Sequence, residues 1–189
     1  MSSTKCAARL ARELLGENLP QRYEHVSGVA AKVEAILTSL QIADENLVSA
    51  AWLHDVGYAS SAVDTGLHAL DGARYARRRG FDDQVVRLIA HHSCAHLEAK
   101  LRGLETQLLE EFPLPGSPQR SILTAADMSV GPGGKPMSID ARLADIRQRY
   151  APSDVVNRFL DEAETELRRI VAEVDGWLLN PSTALPVRP

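Results

Sequence analysis

Cysteine and aromatic residues are scarce in this sequence, and both shortages limit what the protein can be. Only two of the 189 residues are cysteines, Cys6 and Cys94, and their spacing matches no zinc-binding motif. Two isolated cysteines are typical of proteins from a reducing compartment. Aromatic residues make up 5% of the chain, which predicts a mainly aliphatic core.

Long hydrophobic runs and an excess of positive charge are also missing. No apolar stretch is long enough to cross a bilayer, and the N-terminal segment lacks the uninterrupted apolar region of a signal peptide. The formal net charge is −4, which argues against a broad nucleic-acid or membrane footprint. We therefore expect a cytoplasmic protein that acts on a small molecule, with no nucleic-acid or membrane partner; the oligomeric state stays open.

Helical periodicity runs along most of the chain, and no segment clearly indicates a strand. Apolar residues recur every three or four positions within 21–40, which is typical of one buried helix face. The run 47–53 is apolar on most sides, so the helix that begins near Asp44 should lie in the middle of a bundle. We predict an all-α fold with helices at about 3–15, 21–40, 44–53, 67–79, 82–97, 98–111, 118–128, 138–150 and 153–178.

The length and the continuous helical pattern favour a single domain over residues 1–180. Its last part, at about 138–178, consists of additional C-terminal helices. Residues 181–189 carry three prolines and no helical pattern, and we expect this tail to be disordered.

Ionisable side chains occupy positions that should be buried. His54 and Asp55 end the apolar run "AAWLHD", where an ionised carboxylate costs several kcal/mol or more unless something compensates it. His25 lies on the buried stripe of its helix, and His68 shares a face with Gly72, which is small enough to leave space beside the imidazole. Asp127 ends a further apolar run, and His91 and His92 follow another.

These side chains could converge on one interior point. Imidazole and carboxylate are ligands for zinc, iron, manganese or nickel, and six of them suffice for two ions. Considered singly, His25, His68 and Asp127 are more typical of ordinary core residues, and His96 of a structural or rim position. The adjacent pair His54–Asp55 favours metal, because its buried charge needs a partner.

In this order the residues resemble the HD-domain superfamily of metal-dependent phosphohydrolases. The matching contexts are "RYEHVSGVA", "AAWLHDVGY", "HALDGARYA", "LIAHHS" and "ILTAAD", within about 18–130. The resemblance implies an HD-type helical bundle with a dinuclear site. One ion would be held by His25, His54, Asp55 and Asp127, and the second by His68 and His91 with Asp55 bridging. Alignment with the family favours His91 over His92, although periodicity does not choose between them.

One position departs from the family pattern. Many members have a lysine that contacts substrate phosphate where this chain has Tyr58, and a tyrosine supplies no positive charge. The positive charge must then come from elsewhere, although the segment "GPGGKP" is more typical of a plain turn than of a phosphate-binding loop. The candidate substrate-binding residues are Arg22, Tyr58, His92, Lys135 and Arg142.

Three functions are compatible with these features. The first is a phosphohydrolase for a nucleotide or other small phosphate ester, with Asp55 and His54 as catalytic residues and two divalent ions (Fe, Mn, Ni, Co or Zn). The second is a diiron oxygenase, because a branch of the resembled superfamily uses the same ligand set. The third is a metal-containing sensor or binding module. The complete ligand set argues against the third.

Overall fold

A computed structural model describes residues 3–181. Most of the predicted tail, residues 182–189, lies outside the described residues. The α-helices are α1 (Ser3–Leu15), α2 (Pro20–Leu40), α3 (Glu45–Leu53), α4 (His68–Arg78), α5 (Asp83–His91), α6 (Ala95–Leu101), α7 (Glu105–Glu111), α8 (Ser117–Asp127), α9 (Ile139–Arg149) and α10 (Val155–Leu179). Within 3–181 the only β-pairing is an isolated bridge between Val130 and Pro136. The all-α prediction is confirmed.

Side chains just outside the helices fix where several of them begin. The Asp44 carboxylate accepts a hydrogen bond from the backbone N–H of Leu47 at 2.8 Å, as the sequence predicts for the start of α3. Asp82, Ser138 and Asp154 cap α5, α9 and α10 in the same way. Each cap satisfies a backbone donor that has no partner inside its helix.

The middle of the bundle is α3. Its side chains Leu47, Ala50, Ala51 and Leu53 are fully buried, and the helix packs against α1, α2 and α5. Transfer of such aliphatic side chains out of water is the main force that holds the bundle together. The central position predicted for this helix is therefore confirmed. Within residues 3–181, none of the helices combines the length and the apolar composition needed to span a membrane.

The predicted helices at 82–97 and 98–111 are wrong in their boundaries. The first ends at His91, and a short 3-10 turn follows in which Ser93 and Cys94 have φ angles of 47° and 60°. A new helix, α6, then starts at Ala95 and ends before Gly103, which has a φ of 71°. Left-handed backbone cannot continue an α-helix, so each of these positions divides a segment that periodicity alone joins.

Two glycines bring the turn after α3 against the start of α4. A Cβ atom on Gly57 would lie 1.9 Å from the backbone oxygen of His68 and 2.7 Å from the backbone nitrogen of Gly72. The space beside Gly72 is thus filled by the backbone of Gly57. The prediction that this space lies open beside the His68 imidazole is wrong. The close approach places the turn that carries Asp55 directly beside the first residue of α4.

The loop before α4 is held by one buried carboxylate, that of Asp71. It accepts hydrogen bonds from the backbone N–H groups of Asp64, Thr65 and Gly66 at 2.9–3.1 Å. The hydroxyl of Thr65 donates a further bond at 2.8 Å. Because these donors are satisfied from within α4, the loop and the N-terminus of the helix form one rigid unit.

Substitution of Gly57 by alanine should strongly destabilise the protein, because the new methyl group would overlap backbone atoms that cannot rotate away. We expect the free energy of unfolding to fall by about 3 kcal/mol, the upper end of the usual range for overpacking. Gly176→Ala is the matched control, since its Cβ would meet nothing within 4 Å in α10. That variant should be up to about 1 kcal/mol more stable. Equal denaturant midpoints for the two variants would contradict the close-contact argument.

Candidate metal centre

One group of possible ligands consists of His25, His54 and Asp127. His25 comes from α2, His54 directly follows α3, and Asp127 is the last residue of α8. The Nε2 atom of His25 lies 3.0 Å from Oδ1 of Asp127, and the Nε2 atom of His54 lies 4.0 Å from the same oxygen. Three helices thus bring two imidazoles to one carboxylate.

A second group consists of Asp55, His68 and His92. The Nε2 atoms of His68 and His92 are 3.2 Å apart, and the Nε2 atom of His68 lies 3.6 Å from Oδ1 of Asp55. Asp55 also faces the first group, because its two oxygens lie 3.8 Å and 3.9 Å from the Nε2 atoms of His54 and His25. Its carboxylate therefore stands between the two groups.

The histidine orientations fit metal ligation. The Nδ1 atoms of His54 and His92 lie 2.8 and 2.7 Å from backbone carbonyl oxygens, so in both rings Nδ1 carries the proton and donates it. The lone pair of each ring is then on Nε2, which points into the cluster. The Nε2 atom of His54 is buried and has no hydrogen-bond partner among the described residues. A divalent cation would satisfy that lone pair.

The protonation states of the histidines and aspartates also fit metal binding. Burial lowers the pKa of His54 to about 4 and the pKa of His68 to about 3, so both imidazoles are neutral near pH 7. Burial alone would raise the pKa of Asp55, but the Arg22 charge beside it holds that pKa well below its usual range. The Asp127 pKa is likewise lowered, against the effect of burial, chiefly by the hydrogen bond with His25. Neutral imidazoles and ionised carboxylates are the forms that bind metal.

Two arginines contribute positive charge at the cluster. A guanidinium nitrogen of Arg22 contacts Oδ2 of Asp55, and the guanidinium lies 3.6 Å from the centre of the Tyr58 ring. The Tyr58 ring in turn stacks on His68 with centroids 4.4 Å apart. Arg142 approaches the other carboxylate, with Nη2 at 3.3 Å from Oδ1 of Asp127. Of the predicted substrate-binding residues, Arg22, Tyr58 and Arg142 are thus at the cluster.

The side chains of the adjacent residues His91 and His92 point in opposite directions. His91 therefore does not face the cluster, although the family resemblance implies that it is a metal ligand. The Nε2 atom of His91 donates a hydrogen bond to the Phe112 carbonyl at 2.6 Å, away from the cluster, whereas His92 faces His68. The cause is local: α5 ends at His91, and His92 has an extended ψ of 154°. The structure therefore brings His92, predicted as a substrate contact, into the place expected for His91.

His54 and Asp55 also sit differently from the expectation. They follow the end of α3 at Leu53 rather than projecting from within it, and Asp55 has φ and ψ of −105° and 5°. A turn lets neighbouring residues aim at one point, which two adjacent helical positions cannot do because they are about 100° apart around the axis.

Lys135 is not at the cluster. Its side chain is exposed, and its backbone carbonyl accepts a hydrogen bond from the N–H of Gly131 at 2.8 Å. The segment "GPGGKP" is thus a turn, and its contribution to the site is the Gly131 carbonyl beside Nδ1 of His25. Gly134, with a φ of 70°, lets this turn lie against Glu24 on α2.

Sequence reasoning missed two further residues at the site. Ser93 donates a hydrogen bond from its hydroxyl to Oδ2 of Asp127, and it is presented by the left-handed backbone that no sequence pattern revealed. Arg149 lines the same pocket as Arg142. It lies seven residues after Arg142 and so on the same helix face, a signal that could have identified it.

The lowered histidine pKa values predict how pH affects the chelator-treated protein. Unfolded histidines bind protons below about pH 6.5, whereas folded His54 binds one only near pH 4. Between these values the unfolded state holds more protons, so the free energy of unfolding should decrease as the pH falls from about 6.5 to 4. Urea titrations across this range check the slope. His54→Asn should make it shallower, and an unchanged slope would contradict the lowered pKa.

Comparison with known proteins identifies the family of this chain. A family model described as HD domain matches residues 22–152. A protein named Ribonuclease Y from Rubrobacter xylanophilus is 35% identical over 95 residues, which are 50% of this chain and 17% of that protein. Another Ribonuclease Y, from Acidothermus cellulolyticus, is 32% identical over 155 residues, 78% of this chain and 26% of that protein. No solved structure gives a significant match.

The chain spans about a quarter or less of the length of these two relatives. The family match covers more than two thirds of the chain and includes both ligand groups. The predicted family is therefore confirmed, while the six-ligand subtype stays a prediction. The chain belongs to the HD domain family, within the superfamily of metal-dependent phosphohydrolases.

Proposed function

We propose that the protein is a metal-dependent phosphohydrolase that acts on a nucleotide or other small phosphate ester at a dinuclear site. The observation that carries this proposal is the position of Asp55 between two ligand groups. A carboxylate with one imidazole cluster on either side can bridge two ions, and such pairs serve phosphoryl chemistry.

Each ion would have its own ligands. His25, His54 and Asp127 would hold one ion, and His68 and His92 the other, with Asp55 shared. The predominance of imidazole favours Fe, Mn, Ni, Co or Zn over magnesium. Such ions, when bound, supply a Lewis acid and lower the pKa of a coordinated water.

The other side chains would position the substrate. Arg22, anchored by Asp55 and by the Tyr58 ring, would bind a phosphoryl oxygen, and Arg142 would bind a second one. Burial, together with the negative charge of Asp55, raises the pKa of Tyr58 well above its usual value, so its hydroxyl stays a hydrogen-bond donor. This arrangement would supply the positive charge that a lysine at this position would otherwise give.

We also propose that residues 1–180 act as one domain. The hydrophobic cluster that surrounds the site includes side chains from α1 as well as from α10, and α10 packs against α8 and α6. The C-terminal helices would then be part of the enzyme rather than a separate appendage.

RNA is a second candidate substrate. The two relatives are named as ribonucleases, so the expectation of no nucleic-acid partner, which rested on net charge alone, has no support from them. We propose a small phosphate ester because four of the candidate ligands, Asp55, His68, His92 and Asp127, line one pocket, and RNA is one outcome of the test below.

Metal content tests the ligand assignment. The purified protein should carry about two transition-metal ions per chain; Asp55→Ala should lose both, and His68→Ala mainly one. The adjacent histidines form a matched pair, because His92→Gln should lose one ion and His91→Gln should keep both. Elemental analysis of the refolded, metal-loaded variants measures this. Retention of both ions by Asp55→Ala would refute a shared ligand.

Activity under argon tests the chemistry. Nucleoside monophosphates, dinucleotides, an aryl phosphate and a short RNA should be assayed with added manganese, nickel or cobalt. Hydrolysis needs no oxygen, so we expect phosphate release from at least one small ester under argon. Cleavage of RNA without hydrolysis of any small ester would mean that RNA, and not a small phosphate ester, is the substrate. If no compound of the panel is hydrolysed, and a parallel assay in air shows oxygen uptake that requires iron, the oxygenase is favoured; the tyrosine at position 58, where many family members have a lysine, also supports that alternative. If the protein binds metal but shows neither hydrolysis nor oxygen uptake, the metal-containing sensor or binding module is favoured.

A further inference from the structure

The pocket beside the metal centre has two chemically different ends. Asp55, His68, His92 and Asp127 line one end of the pocket. Helices α9 and α10 supply the other end with the apolar side chains Ile146, Val156, Phe159, Leu160 and Leu167. A molecule that reaches the metal ligands therefore lies next to an aliphatic and aromatic wall.

Positive charge is concentrated at the metal end. Arg22 contacts Asp55 and Arg142 contacts Asp127, so both guanidinium groups stay beside the ligands. Arg149 lines the same pocket and pairs with Asp145 at 2.9 Å. An anionic group bound by these arginines has its place fixed, and the remainder of the molecule can extend toward α10.

Polar partners are few along that remainder. Among the described residues that line the pocket, Tyr58 and Ser93 are engaged at the cluster, which leaves Glu98 and Tyr150. Glu98 is buried, and its Oε1 already accepts hydrogen bonds from the Arg102 guanidinium at 2.7 and 2.8 Å. A nucleoside brings a base edge and ribose hydroxyls, and each polar group that loses water without a new partner lowers affinity. An alkyl or aryl group has no such requirement.

We propose that this wall binds the organic group of the substrate, and that the substrate is a phosphate ester of a compact apolar alcohol or phenol. The inference rests on the proposed phosphohydrolase function and narrows its substrate class. Four of the wall residues, from Val156 to Leu167, lie beyond residue 152, where the family match ends. Substrate preference would therefore be set by a part of the chain that the family model does not describe.

Binding of unreactive analogues tests the inference independently of turnover. Calorimetry with the manganese-loaded protein should compare the alkylphosphonates from methyl to hexyl, phenylphosphonate and the uridine phosphonate, an analogue of uridine monophosphate in which a CH₂ group replaces the ester oxygen. Each added CH₂ group that enters an apolar wall should tighten binding about fourfold, until the space is filled. The uridine phosphonate should bind no more tightly than methylphosphonate.

Substitutions in the apolar wall test whether its side chains cause the dependence of affinity on chain length. Ile146 and Phe159 are only half-buried, so Ile146→Ser and Phe159→Ser should fold. Both should weaken butylphosphonate binding about tenfold, with methylphosphonate changed less than twofold. Leu179→Ser is the control, since Leu179 is 88% exposed on the same helix as Phe159. Ala95→Leu narrows the pocket from the opposite side, and it should shorten the longest alkyl chain that still gains affinity.

The outcomes separate this inference from the hydrolase proposal. Affinity that does not depend on chain length, or tighter binding of the uridine phosphonate than of butylphosphonate, would overturn the inference even if nucleotides are hydrolysed. Unaltered butylphosphonate binding in both serine variants would overturn it as well. Chain-length dependence without phosphate release from any ester would support the apolar wall and count against the hydrolase.

Discussion

Two ionised carboxylates, those of Asp55 and Asp127, lie inside an apolar bundle at 5% and 7% exposure, and the rest of the site is organised around the cost of keeping them there. Neutral imidazoles cannot balance two negative charges, and their lone pairs add to the demand for a cation. Arg22 and Arg142 each meet one carboxylate from the side of the pocket. A cation bound among the imidazoles would take over the balancing of the two carboxylates, and the paired arginines would then attract negative charge from solvent.

The candidate ligands are supplied mainly by helix ends and turns. Asp55 lies in the turn after α3, His68 begins α4, and Asp127 ends α8. Backbone contacts hold these ends in register: Gly57 lies against the first turn of α4, and the Gly131 carbonyl fixes the ring of His25. Glycine is required at the first contact because any side chain would separate the two segments. The precision of the site thus depends on backbone packing as much as on the ligands themselves.

Sequence patterns predicted most of the helices and their buried faces, because the periodicity of apolar residues reports burial directly. The same reasoning placed His25, His68 and Asp127 on inward faces, where the structure has them facing the cluster. It failed where the backbone leaves the helix. Nothing in "HHSC" reveals that the chain turns at His92, so the choice between His91 and His92 followed family alignment instead. Arg149 was overlooked although its spacing from Arg142 was readable, whereas the contact of Ser93 depends on a left-handed backbone that sequence alone does not encode.

The contact between His25 and Asp127 joins positions 102 residues apart in a chain whose cysteines are both unpaired. A cross-link over that span removes a large part of the conformational freedom of an unfolded chain, by about 4–5 kcal/mol for a covalent bridge. An ion bound by both residues would act as a reversible cross-link of the same kind. Cellular metal supply would then set the lifetime of the folded protein, so starvation for the ion would remove the enzyme through proteolysis as well as through loss of its chemistry.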